Sequence, residues 1–122
     1  MALKYTLKRD GDILVVRLTG SDNGLREVER YVLDVIRAAL DEGLQRILCD
    51  ETGITTRLDT LETFDIGTFL SRNTPPSFRI AIIYDPQAYF DFRFFESVAV
   101  NRGMQLRIFT DIDPAREWLL NS

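Results

Sequence analysis

Two apolar runs constrain this chain more than any other feature. Ile47-Leu48-Cys49 and Ile80-Ala81-Ile82-Ile83 are each led in by an arginine, Arg46 and Arg79, and each runs out into acid, at Asp50-Glu51 and at Asp85. Neither run alternates with polar residues. A strand with no polar side is buried on both faces, which requires a sheet covered by helices. The spacing therefore predicts two central strands, Arg46 to Gly53 and Arg79 to Asp85.

The rest of the chain arranges itself around them. Tyr5 to Arg9 and Ile13 to Thr19 read as strands, and Asp10-Gly11 between them is a hairpin signal, because glycine accepts the positive φ of a tight turn. Leu14, Val16 and Leu18 share one face; Ile13 and Val15 share the other, with Arg17 at its wetter end. A helix from Leu25 to Asp41 follows, with an apolar stripe of Leu25, Val28, Val32, Val35, Ile36, Ala39 and Leu40, and Gly43 ends it. Asp59-Thr60-Leu61-Glu62 has the spacing of a capping box and starts a second helix to Arg72, which Gly67 weakens. Asp85-Pro86 pairs a cap with a first-turn proline and predicts a third helix from Pro86 to Asn101. Gln105 to Thr110 alternates, as an edge strand does, and Asp111-Ile112-Asp113-Pro114 opens a last helix. The order is ββαβαβαβα. This is an α/β fold, a mixed five-stranded sheet with four helices, in a single domain over residues 1–122.

Composition excludes several functions. The net charge is −4 and the positive charges are spread along the chain, so no nucleic-acid footprint is present. There is no histidine, which removes the commonest general base, and the single cysteine, Cys49, leaves no disulfide or zinc cluster. Cys49 lies inside a central strand and reads as a packing residue. No apolar run is long enough to span a membrane. No signal peptide is visible before the first strand, and the expected location is cytoplasmic. No catalytic residue, metal or cofactor is assigned.

The hairpin, the element order and three local patterns resemble the SpoIIAA-like branch of the STAS superfamily, over about Tyr5 to Leu120. The patterns are Ile47 through Ile54, Arg79-Ile80-Ala81-Ile82 with Arg93 and Glu96 beyond, and Leu106 through Asp111 before a helix carrying Trp118-Leu119. The resemblance implies a regulatory domain acting by protein contact, not catalysis. In the anti-sigma-factor antagonists of that superfamily, a serine in an Asp-Ser-Ser-Gly motif after the third strand is phosphorylated. The corresponding loop here reads Thr55-Thr56-Arg57-Leu58, with neither the serine nor the glycine. Some SpoIIAA-like proteins also resemble lipid-binding domains, which implies an alternative role as binder of a small apolar or anionic ligand.

The candidate sites follow from the expected topology. Three loops, Asp50 to Arg57, Asp85 to Tyr89 and Thr110 to Asp113, should meet at the carboxyl ends of the parallel strands, where open α/β sheets bind ligands. Thr55, Thr56, Arg57, Asp85 and Arg93 form the candidate regulatory or ligand set. A phosphate on either threonine would lie near a helix N-terminus; the plainer account is a solvated loop with helix caps. Asp50, Asp85 and Asp111 could converge on Mg²⁺, although caps explain two of them. Arg93 and Glu96 have the spacing of an i,i+3 ion pair. Tyr89, Phe92 and Phe95 belong to an aromatic cluster larger than one buried stripe needs, and are the candidate face of a homodimer.

Overall fold

The structure is a computed structural model that describes residues 2–121. Its elements are β1 (Leu3–Asp10), β2 (Ile13–Ser21), α1 (Leu25–Glu42), β3 (Arg46–Thr55), α2 (Thr60–Asn73), β4 (Arg79–Ile83), α3 (Phe92–Asn101), β5 (Gln105–Phe109) and α4 (Ile112–Leu120). The five strands lie side by side in chain order. β1 pairs with β2 antiparallel, and every later pairing is parallel. Gly11, at φ 61°, turns the hairpin as expected.

Chain order decides where the helices go. Parallel crossovers share one hand, so a sheet that always grows in the same direction places each crossover helix on the same face. α1, α2 and α3 accordingly cover one face, over Leu14, Val16, Leu18, Ile47, Cys49, Ile80 and Ile82. α4 follows the last strand, with no further strand to reach, and folds across the opposite face. There Ala115 and Leu119 pack on Ile13, Leu48, Ala81 and Ile83. The division of β2 into two faces agrees with its alternation, and β5 is an edge strand as its pattern predicts.

The two leading arginines also find their purpose here. A helix leaves its last carbonyls without intrahelical partners. Arg46 Nε donates to the Leu119 carbonyl at 2.9 Å, and Arg79 Nη2 donates to the Trp118 carbonyl at 2.7 Å. The Arg79 guanidinium also lies over the Trp118 ring, 4.1 Å from its centroid. Charged donors at a helix C-terminus complement its dipole as well. The amino ends of the central strands thus hold the far end of the chain.

Helix α2 opens on the expected capping box: Asp59 Oδ1 accepts from Glu62 N at 2.8 Å, and Glu62 Oε1 accepts from Asp59 N at 3.1 Å. Gly67 does not break it. A Cβ built there would lie 2.7 Å from Val98 Cγ1, so the glycine lets α2 and α3 approach closely.

Four expectations are corrected. α3 begins at Phe92, not Pro86. Asp85 closes a turn instead, accepting from Gln87 N at its side chain and from Ala88 N at its carbonyl, and Asp91 caps the helix by accepting from Phe94 N at 3.0 Å. The displaced start lets Phe90 enter the core beside Phe92 and Phe95. Leu40 is not on the buried stripe of α1; Tyr31 is. Asp111 occupies the cap position of α4 without a side-chain hydrogen bond. β3 continues past Gly53 to Thr55.

Candidate functional site

Along β3 the pleat places Ile47 and Cys49 on the three-helix face, and the same period of two brings Glu51 to that face next. A carboxylate therefore stands where an apolar residue would serve packing. The ladder is irregular at this point. Arg17 pairs with Asp50 and Thr19 with Gly53, so Glu51 and Thr52 together oppose Leu18. Two residues against one is a bulge, a device that re-aims side chains. Asp50 steadies it by accepting from Thr52 N at 3.1 Å and Thr52 Oγ1 at 2.7 Å.

Tyr31, from α1, meets the carboxylate: its hydroxyl donates to Glu51 Oε2 at 2.9 Å. The Tyr5 ring holds Tyr31 edge-on, with centroids 5.1 Å apart. The surroundings are apolar, and loss of solvation lifts the Glu51 carboxyl from its ordinary 4.5 to about 7, with Asp50 adding repulsion against the opposing Tyr31 hydrogen bond. Burial also pushes the Tyr31 hydroxyl and the Cys49 thiol up. Cys49 is buried, as expected, and its thiol stays protonated, which suits packing and not nucleophilic attack.

These groups stand at one end of a cavity of about 70 Å³ between the sheet and the helices. Val32, Ile36, Ile66, Leu70, Ile80 and Ile82 line much of it, and Thr56 joins the lining. Thr56 is 7% exposed, and its Oγ1 has no hydrogen-bond partner among the described residues. Outside lies a second, more polar cleft of about 230 Å³, between the loop after β3 and the loop after β4. Ile54, Thr56 and Phe90 border both spaces, so they form the wall between cavity and cleft.

The outer cleft gathers most of the sequence candidates. Thr55, Thr56, Asp85 and Tyr89 line it, and the Arg57 guanidinium lies 5.6 Å from the Tyr89 ring centroid, tying the two loops together. The third loop, after β5, lines neither space. Arg93 is exposed on α3 and makes no ion pair with Glu96; Glu96 Oε2 accepts instead from Ile108 N in β5 at 2.9 Å. The N-terminus of α2 already holds the carboxylates of Asp59 and Glu62, which occupy the place expected for a phosphate. Thr55 is exposed, whereas the Thr56 hydroxyl is buried. Among the described residues no three acidic or cysteine side chains gather as a metal set, so Asp50, Asp85 and Asp111 do not converge.

The proposed homodimer face is corrected in part. Phe92 and Phe95 are 2% and 7% exposed and belong to the core, where Phe90 packs against both. Only Tyr89 of the three is exposed. The aromatic excess is absorbed by the loop before α3. Sequence reasoning missed Tyr31 and Glu51. The signal for Tyr31 was its position three residues after Val28 and four before Val35.

The sheet in chain order, opened by an antiparallel hairpin, with three helices on one face and one on the other, superposes on solved structures of the SpoIIAA-like fold. A crystal structure of an anti-sigma factor antagonist from Mycobacterium paratuberculosis superposes with a TM-score of 0.65 at 11% identity, covering 97% of this chain and 94% of that one. An uncharacterized protein of the DUF3478 family with a SpoIIAA-like fold, from Shewanella loihica, superposes at 0.55 with 17% identity, covering 96% and 93%. No protein-family model and no curated protein matches the chain. Among the described residues no helix is long and apolar enough to cross a membrane.

Proposed function

We propose that this chain is a non-enzymatic regulatory domain that works by protein–protein contact in the cytoplasm, through the surface formed by the loops after β3 and β4. The observation that carries this reading is the exposed Arg57–Tyr89 contact at the rim of a polar cleft lined by Thr55 and Asp85. Arginine and tyrosine are the residue types over-represented among binding hot spots, because each combines a large flat contact area with directed hydrogen bonding. The likeness in fold to a protein described as an anti-sigma factor antagonist supports a regulatory role by analogy. Arg93, exposed on α3, is the proposed outlying contact.

Cross-linking in the protein's own host tests this. The expected result is a defined complex with wild-type protein that is lost with Arg57→Ala/Tyr89→Ala while the variant stays folded and melts within a few degrees of wild type. Equal complexes from both proteins would overturn the assignment of the surface. The mass of the native protein decides whether the partner is a second copy of the chain: a dimer that the double variant abolishes places self-association on these loops, since Phe92 and Phe95 are buried.

A further inference from the structure

The two edges of the sheet are finished differently. β5 is five residues long, and Glu96 of α3 blocks its free side by accepting from Ile108 N at 2.9 Å. β1 is eight residues long and pairs on one side only. Its ladder with β2 closes on Asp10 and Ile13 across the turn Gly11-Asp12, and the pair that closes so tight a turn exchanges both of its main-chain hydrogen bonds. The alternation of an antiparallel ladder then turns the N–H and C=O groups of Tyr5, Leu7 and Arg9 outward. Leu3 shows the same parity: its N–H leaves the ladder and donates to Glu27 Oε2 at 3.2 Å. Among the described residues no side chain blocks the outward groups of Tyr5, Leu7 and Arg9 in this way. Leu7, in the middle of the strand, is 39% exposed and belongs to neither core cluster. A long edge strand left open is a template for another strand.

We propose that this edge takes a second copy of the chain: β1 pairs antiparallel with β1 about a two-fold axis through Leu7, and the two sheets become one. The register follows from charge. A two-fold axis perpendicular to the sheet keeps the helices of both copies on one face, so each residue meets one of its own face and the register is centred on a residue. Centred on Lys4, Thr6, Lys8 or Arg9, it sets like charges directly opposite one another, which is destabilising. Centred on Tyr5, it gives neither lysine a counter-charge. Centred on Leu7, it sets Lys4 against Asp10 of the second copy, twice over by symmetry, and Leu7 against Leu7. Asp10 is exposed and meets Arg116 through Oδ2 at 3.0 Å, which leaves Oδ1 for the lysine. The same register brings Arg9 to Tyr5 of the second copy, whose hydroxyl donates to Asp34, so Arg9 gains a carboxylate as well. Tyr5, Leu7 and Arg9 supply about six main-chain hydrogen bonds between the copies. Lysines on an edge strand guard it against indiscriminate pairing, and here they admit one register. The axis reverses the strand direction, so the loops after β3 and β4 of the two copies point opposite ways and stay free. This inference does not rest on the protein-contact reading of those loops.

Sedimentation equilibrium of the full chain tests this, and the expected result is a reversible dimer. Lys4→Asp and Asp10→Lys each turn two attractive pairs into two repulsive ones and should each weaken the dimer roughly ten-fold. The double variant restores both pairs with their signs exchanged and should recover the wild-type affinity. Leu7→Cys should give a disulfide-linked dimer on oxidation, because the axis sets the residue against its own copy; the wild-type chain, whose single cysteine is buried, should not. The dimer should survive Arg57→Ala/Tyr89→Ala, which separates this edge from the loop surface. A monomer at chain concentrations up to about 1 mM would overturn the proposal. So would a dimer indifferent to both charge reversals, or one lost with the loop variant. A double variant no tighter than the single ones, or no cross-link through Leu7→Cys, would overturn the register.

Discussion

At their amino ends β3 and β4 carry Arg46 and Arg79, and both guanidiniums are engaged with the last carbonyls of α4. At their carboxyl ends the same strands lead to Glu51 in a bulge, to a buried Thr56 hydroxyl without a partner, and to an exposed Arg57–Tyr89 contact. The amino end is closed: its charges meet backbone acceptors, and the Arg79 Nε that lacks a hydrogen bond belongs to a guanidinium stacked on Trp118. The carboxyl end keeps hydrogen-bonding capacity in reserve. Placing polar groups without partners in a core costs stability, and among the described residues Thr56 Oγ1 and Thr68 Oγ1, unlike Arg79 Nε, have no aromatic ring beneath them to offset that cost.

The closed end should break hardest. Arg79→Ala removes a charged hydrogen bond to a helix C-terminus and the indole stack, and should cost about 2–3 kcal/mol in urea unfolding. Arg79→Lys should recover little, because lysine lacks the planar fork that donates and stacks at once. A loss below about 0.5 kcal/mol, the scale of an ordinary surface substitution, would remove the contrast between the two ends.

The open end should respond to pH in a direction set by Glu51. Its folded pKa of about 7 lies above its ordinary 4.5, so between those values the folded state holds the proton more tightly than the unfolded chain. Stability from this group is therefore full below about 4.5, falls as pH rises through the window, and levels off above about 7. Allowing for the residue's partial exposure, the fall should be on the order of 1–2 kcal/mol. Glu51→Gln should flatten the profile and exceed wild type on the alkaline side, as read from urea midpoints across the window. A wild-type profile that matches the glutamine variant would show that the carboxyl is solvated.

Thr56→Val sharpens the comparison by reversing the usual sign. Replacing an unsatisfied buried hydroxyl by a methyl of the same shape removes a desolvation penalty, and the variant should gain about 1 kcal/mol by thermal or urea unfolding. A destabilised variant would mean that the hydroxyl is already satisfied in the folded protein.

How much of this was legible depended on whether the deciding contact was local. The two-sided strands, the Asp10-Gly11 hairpin, the Asp59–Glu62 capping box and the buried Cys49 all follow from neighbours within a few residues, and the fold class follows from them. Asp85-Pro86 is an equally strong local signal for a helix start, yet the chain refuses it, because burying Phe90 against Phe92 and Phe95 outweighs a cap that Asp91 can supply six residues later. Glu51 reads as the acid that ends a strand; that the strand runs on to Thr55, with a bulge opposite Leu18, shows only in its pairing with β2. The rim of the site was readable in part: the loops after β3 and β4 meet at the carboxyl ends of neighbouring parallel strands, whereas the loop after β5, expected with them, stands apart. Its interior was not, since the cavity that Thr56 borders exists only after α1 and α2 have packed.

The smallest expected effect concerns the rim itself. Arg57 and Tyr89 are exposed, and a cation–π contact in water contributes about 0.5–1 kcal/mol at most. A double-mutant cycle on melting, with Arg57→Ala and Tyr89→Ala, should give a coupling near the lower of those values. So weak a contact does not hold the loops for the sake of folding. It holds two flat side chains in place for a partner, so the same cycle measured on partner binding should show a larger coupling than the one measured on stability. Equal couplings in the two experiments would make the pair a structural clasp and remove these loops as the partner surface.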